Sequence, residues 1–270
     1  MTVEPPPTAP PGEWHGGAFG DRGRCVLAPN PGPMTLDGTN TWVLREPGAS
    51  RSVVVDPGPL DDRHLDAVSE SAGAVGVVLL THGHLDHSEG ARAFAGRAGC
   101  AVRALDPQFR YGGEGLHDGD VIDVDGLEVR VVATPGHTSD SLSFLVPGER
   151  AALTGDTVLG RGTTVVAHPD GVLAAYFASL RRLRGLAEEH EIEVVWPGHG
   201  PVVDDVLAVV DFYLRHRAER LDQVRAAVAA GSDEPMDVVR TVYADVDRRL
   251  WPAAELSVRA QLEYLREHDH

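Results

Sequence analysis

The segment Thr81-His82-Gly83-His84-Leu85-Asp86-His87 constrains this chain more than any other. Three imidazoles and one carboxylate follow directly on the apolar run VGVVLL, 75–80, and precede the helix-like stretch HSEGARAFAG. A short apolar run of that kind reads as a buried strand. In extended backbone, residues i and i+2 point the same way, so His82 and His84 can face one ion. Asp86 and His87 lie just past the turn and can aim at a second. The competing reading is a polar surface loop. It accounts poorly for four metal-ligand types placed where a buried strand ends.

The same arrangement recurs along the chain. VVATPGH ends in His137, ALTGD in Asp156, VVWPGH in His199 and VVVD in Asp56. Each of these residues has Gly or Pro beside it, residue types that let the backbone turn sharply at a strand end. One such end could be chance. Five predict a single metal site at one edge of the sheets.

The pattern predicts strands at 41–44, 52–55, 76–80, 101–104, 127–132, 142–146, 151–153 and 193–195, with helices at 60–71, 89–98 and 173–189. Residues 1–20 read as a flexible arm rich in Pro and Gly. After residue 203 the period becomes helical, with segments expected at 205–230, 236–244 and 253–267. The expected organisation is an arm, 1–20, a catalytic α/β domain, 21–203, and a small helical domain, 204–270. Neither a P-loop nor a Ser-His-Asp signature competes for the chemistry.

With 24 basic residues, all Arg, against 41 acidic ones, the formal charge is -17. Duplex DNA and anionic membranes reward a basic field, so neither is an expected partner. No long apolar run suggests a membrane span. Cys25 and Cys100 have no CxxC spacing and give no disulfide framework. With no signal-peptide pattern, the expected location is the cytoplasm.

HxHxDH, then GH, GD and GH, in this order over about 25–203, resembles the metallo-β-lactamase superfamily. The resemblance implies an αββα sandwich with two metals between the sheet edges. By it, His82, His84 and His137 hold the first metal and Asp86, His87 and His199 the second, while Asp156 bridges both. Asp56 matches a carboxylate that orients a ligand histidine. Two zinc ions are implied, with manganese or iron as alternatives, and a bridging hydroxide as nucleophile. Asp86 and Asp156 are then the catalytic carboxylates, Asp86 also orienting the hydroxide or shuttling a proton.

Several segments further resemble the lactamase-beta-2-like subgroup. They are NPGPMTLDGTNTW, 30–42, GTTVV, 162–166, YFASL, 176–180, and in the tail His216-Arg217 with Arg220, Val242-Tyr243 and Leu250-Trp251. That tail looks like a winged-helix-like C-terminal domain, here read as a lid or homodimer surface. Asn40 and Tyr176 are the candidate substrate contacts. The expected activity is hydrolysis of a small ester, thioester or lactone. The alternatives are cleavage of single-stranded RNA, because the subgroup includes an endoribonuclease, or a nucleic-acid-binding module on a scaffold. The tail's acidic balance argues against the last.

Overall fold

In the computed structural model, which describes residues 10–232 and 234–268, two sheets lie face to face. The first has the order β1 (Gly17–Phe19), β2 (Gly23–Leu27), β3 (Asn40–Leu44), β4 (Arg51–Val55), β5 (Ala74–Leu79) and β6 (Ala101–Arg103). The second has the order β11 (Val194–Pro197), β10 (Ala151–Gly155), β9 (Leu142–Val146), β8 (Leu127–Ala133) and β7 (Val121–Val124). β4, β5 and β6 run parallel, as do β10 and β11, and the other pairs are antiparallel.

Both faces of each central strand are buried, which is why those strands are runs of Val and Leu rather than alternations. On β4, Val53 and Val55 point between the sheets and Val54 points outward. Trp42 and Trp196 stack across the seam, their rings 4.8 Å apart and within 6° of parallel. Each such fully buried apolar side chain contributes roughly 1.5–3 kcal/mol.

Helices cover the outer faces. α1 (Asp62–Ala72) and α3 (Ala91–Ala98) pack on the first sheet, with the single turn α2 (Leu85–Ser88) before α3. Asp61 caps α1 by accepting from the His64 amide at 2.9 Å. α4 (Leu173–Glu189) packs on the second sheet, followed by α5 (Val206–Ala229), α6 (Pro235–Val242) and α7 (Trp251–His268). The layers are helix, sheet, sheet, helix, as the sequence implied.

Three strands went unanticipated. β1 and β2 are short and carry glycine, and β2 has exposed Arg24 in its middle. β7 is an edge strand that alternates exposed and buried residues over only four positions. Part of the expected arm, 1–9, lies outside the described residues. Of the rest, Trp14 is buried and Gly17–Phe19 pairs with β2. The change of character near 203 falls between β11 and α5, yet one apolar cluster spans it. Leu180 of α4, Tyr213 of α5 and Val258 of α7 belong to the same core.

Candidate metal centre

The strand ends converge as the five sequence runs suggested. β4 leads into Asp56 and β5 into His82 and His84. β8, β10 and β11 of the opposite sheet lead into His137, Asp156 and His199. The two sheets touch here, the Leu142 amide donating to the Thr81 carbonyl at 2.7 Å. Two of the turns require glycine. A Cβ on Gly198 would lie 2.6 Å from Asp156 Oδ1 and 2.8 Å from His87 Cε1. One on Gly136, whose φ is +138°, would lie 2.3 Å from Tyr176 Cα.

Seven donors form two adjacent groups. His82, His84, His137 and Asp156 offer atoms within 4.8 Å of one another, and so do Asp86, His87 and His199. His84 Nδ1 lies 3.1 Å from both His82 Nε2 and His137 Nε2. His87 Nε2 and His199 Nε2 are 3.2 Å apart. Asp156 faces both groups, with Oδ2 3.6 Å from His137 Nε2 and 3.4 Å from His199 Nε2, and Oδ1 3.5 Å from His87 Nε2. Asp86 Oδ2 is 3.2 Å from His199 Nε2. Tetrahedral bonds of 2.0–2.1 Å place neighbouring donors about 3.3 Å apart, so these spacings suit a shared small cation. Asp156 Oδ1 is buried and has no hydrogen-bond partner in the protein. Buried carboxylate oxygens are rarely left so, and a cation would complete it.

The other nitrogen of four imidazoles is occupied, which fixes the ring. His82 Nδ1 is 3.0 Å from Thr81 Oγ1, and His87 Nδ1 is 2.9 Å from Asp56 Oδ2. His137 Nδ1 donates to the Val165 carbonyl at 2.7 Å and lies 3.1 Å from Thr164 Oγ1. His199 Nδ1 donates to the Gly38 carbonyl at 3.2 Å. Asp56 also accepts from the Thr81 amide and hydroxyl, at 2.8 and 2.6 Å. It therefore fixes the orientation of the His87 ring. Thr39 donates to Asp86 Oδ2 at 3.0 Å. Sequence reasoning did not single out Thr39, Thr164 or Val165, although all three lie in quoted motifs.

Burial and charge pull the donors apart electrostatically. Burial, with the neighbouring His87, pushes His82 well below the ordinary histidine value, and burial pushes His137 down to about 4. Burial also acts to lower His199, but Asp156 and Asp86 outweigh it and bring the ring to about 10. His87 is likewise raised, because Asp156, Asp86 and Asp56 overcome its burial. Burial acts to raise both Asp156 and Asp86, yet the facing histidines hold each below the carboxylate range.

Asn40 and Tyr176, the candidate substrate contacts, are both fully buried. Asn40 is a brace: its Nδ2 donates to the carbonyls of Pro197 and Gly200, at 2.9 and 2.8 Å, and its Oδ1 accepts from Trp14 Nε1 at 2.8 Å. It ties the turn that carries His199 to the first sheet. Tyr176 donates to the Thr157 carbonyl at 2.6 Å and is core. A cavity of about 380 Å³ reaches the donors. His137 and Asp156 line it, as do Met34, Leu36, Leu159 and residues of α5 and α7. Among the described residues no helix is long and apolar enough to cross a membrane.

Comparison with known proteins gives matches over most of the chain. A family model described as "Metallo-beta-lactamase superfamily" matches residues 34–199, and one described as "Beta-lactamase associated winged helix domain" matches 235–269. The "Beta-lactamase-like protein 2 homolog" of Drosophila melanogaster is 31% identical over 268 residues, covering 89% of this chain and 86% of that protein. The "Atrochrysone carboxyl ACP thioesterase" of Aspergillus fumigatus is 36% identical over 211 residues, 75% of this chain and 64% of that protein. Among solved structures, a beta-lactamase domain protein from Burkholderia ambifaria superposes with a TM-score of 0.79 at 22% identity, covering 94% of this chain and 88% of that one.

Proposed function

Because the chain belongs to the metallo-beta-lactamase superfamily, we propose that it is a dinuclear zinc hydrolase acting on a small thioester, ester or lactone. The observation that carries this reading is the convergence of five imidazoles and two carboxylates around the unpartnered Asp156 Oδ1. In this reading His82, His84 and His137 would hold one ion and Asp86, His87 and His199 the other, with Asp156 facing both groups. The donor set is nitrogen and oxygen only, which zinc accepts, as do manganese and iron. Such a pair of ions supplies an activated water and polarises the substrate's carbonyl oxygen.

The protein's own groups do the rest. Asp86 is the more open carboxylate, its side chain 28% exposed against 10% for Asp156. Its Oδ2, steadied by Thr39, is placed to hold a proton taken from the attacking water and pass it to solvent. Asp56, Val165 and Gly38 keep the rings aimed, so little reorganisation is needed during reaction. The cavity walls hold the acyl group and exclude bulk water. A relative named as an ACP thioesterase supports the acyl substrate class.

The test is a panel of thioesters, lactones and single-stranded RNA offered to the zinc-loaded protein and to Asp156→Ala. Turnover of a thioester or lactone by the wild type, lost with bound metal in the variant, is expected. Metal-dependent cleavage of RNA with no turnover of small acyl substrates overturns the substrate class. Full activity and unchanged metal content in the variant overturn the site.

A further inference from the structure

The cavity lined by His137 and Asp156 is lined by arginines as well. Its walls are apolar where Met34, Leu36, Leu159, Val246 and Leu250 face it. Among the described residues no acidic side chain but Asp156 lines it, whereas Arg161, Arg217 and Arg220 do, with His216 beside them. In a chain with 41 acidic and 24 basic residues, that local balance is the reverse of the whole.

The partners of these cations decide whether their field is neutralised. Arg161 is paired with Asp37 at 2.7 Å. Arg217 is only 4% exposed. Its Nη2 donates to the Thr164 carbonyl and its guanidinium lies 5.2 Å from the centre of the Tyr176 ring, but its Nε has no hydrogen-bond partner. Arg220 donates to the Val242 carbonyl at 2.5 Å and sits 4.5 Å from the centre of the Tyr243 ring. Among the described residues, neither Arg217 nor Arg220 is paired with a carboxylate. Between them His216 has a buried Nδ1 with no partner. Burial first, then the charges of Arg217 and Arg220, hold His216 down to about 4.

A guanidinium stays charged at any physiological pH. A buried one without a counter-charge is costly, and a ligand anion relieves that cost. The plainer reading makes Arg217 a strut between α5 and the Thr164 loop. It explains Nη2 and the ring contact. It does not explain the idle Nε, the second unpaired arginine, or the exclusion of acids from the lining.

We propose that the wall of the cavity formed by Arg217 and Arg220 recognises an oxyanion on the substrate while the reacting carbonyl lies at His137 and Asp156. The proposal rests on the hydrolase reading above and narrows it to thioesters or esters carrying a second, negatively charged group. Hydrolysis adds the water oxygen to the carbonyl carbon and breaks the C–S bond. The thiol leaves with one proton, the acid leaves as carboxylate, and the second proton goes to solvent. The oxyanion can be a carboxylate at the far end of the acyl chain or a phosphate on the leaving thiol.

Three matched thioesters separate these sources: adipoyl-N-acetylcysteamine, hexanoyl-N-acetylcysteamine, and hexanoyl-phosphopantetheine. The zinc-loaded wild type should prefer one of the two anionic compounds over the neutral one by roughly tenfold in kcat/KM, the size of one charge-assisted contact. A preference for the adipoyl compound places the anion on the acyl group, and a preference for the phosphopantetheine compound places it on the thiol. Arg220→Gln should shrink the preference to under about threefold, and Arg220→Lys should restore part of it. Arg217→Lys, which keeps the buried cation, guards against a variant that merely misfolds. Equal turnover of all three compounds by the wild type overturns the anion site and leaves the hydrolase reading intact. Turnover of none overturns the hydrolase reading, and calorimetric binding then decides the anion site. Adipate and hexanoate share the carboxylate that can reach the metal end. Tighter binding of adipate, or binding of phosphopantetheine, lost in Arg220→Gln, upholds the site; equal binding of the two acids together with no Arg220-dependent binding of phosphopantetheine removes it.

Discussion

His82 and His137 on one side of Asp156, and His87 and His199 on the other, are equally deep in the protein, yet burial decides the charge of only the first pair. His137 is pushed down to about 4 and His82 well below its usual value, so both are neutral and able to donate a lone pair at pH 7. His199 is brought up to about 10 and His87 is raised, because carboxylates crowd that side. In the metal-free protein His199 and His87 favour holding a proton where His82 and His137 do not. Identical residue types thus present two different faces to an incoming cation. One needs no deprotonation, and the other must expel a proton first.

The most severe way to break this comparison is to remove the residue both groups share. Asp156→Ala should lower bound metal by at least one ion per chain and kcat/KM by on the order of 10³-fold, since several kcal/mol of transition-state stabilisation depend on the pair. Metal analysis and kinetics check both. Next in size is Asp56→Asn. Asp56 sits at φ +51°, a conformation Asn tolerates, so the backbone should survive while the charge behind His87 is lost. Affinity for one ion should fall by about 10–100-fold and for the other far less. Equal loss at both would mean that the groups do not act separately.

A third measurement is calorimetric titration with zinc at several pH values. Binding of the second ion should release protons and tighten by up to about tenfold per pH unit as pH rises toward 10, whereas binding of the first should depend less on pH. The same shifts govern the stability of the metal-free protein. His199 is raised from 6.5, so its contribution is full below 6.5 and is lost as pH rises through about 10. Asp86 and Asp156 are depressed, so theirs is lost as pH falls below the usual carboxylate range. Melting of the metal-free protein should therefore be lower at pH 10 than at pH 7, and zinc should flatten that difference. The smallest effect belongs to Thr164→Val. His137 keeps the Val165 carbonyl, so activity should drop less than about tenfold, below the range of losing an orienting partner outright.

The donors were legible because each sits one turn beyond an apolar run, a signal contained in about six residues. The αββα order was what the family resemblance implied, and the two sheets show it. What braces the donors was not legible. Val165 lies 28 residues from His137, Thr39 lies 47 from Asp86, and Asn40 reaches a carbonyl 160 residues away. Contacts of a side chain with distant backbone leave no period in the sequence. For the same reason the hydrogen bonds of Asn40 and Tyr176 to distant carbonyls left no mark in the sequence, where a side chain that braces looks the same as one that faces a ligand. β7 escaped because a four-residue edge strand carries too short an alternation to stand out.

The shared core of α4, α5 and α7 has a consequence for how the protein is made. A chain growing from its N-terminus owns all seven donors once His199 has been added, whereas Arg217, Arg220 and the α7 wall are added only afterwards. The nascent protein therefore passes through a stage in which the donor set is complete and the chamber around it is open. The donors are assembled first, and the residues that close the room follow them in the order of synthesis.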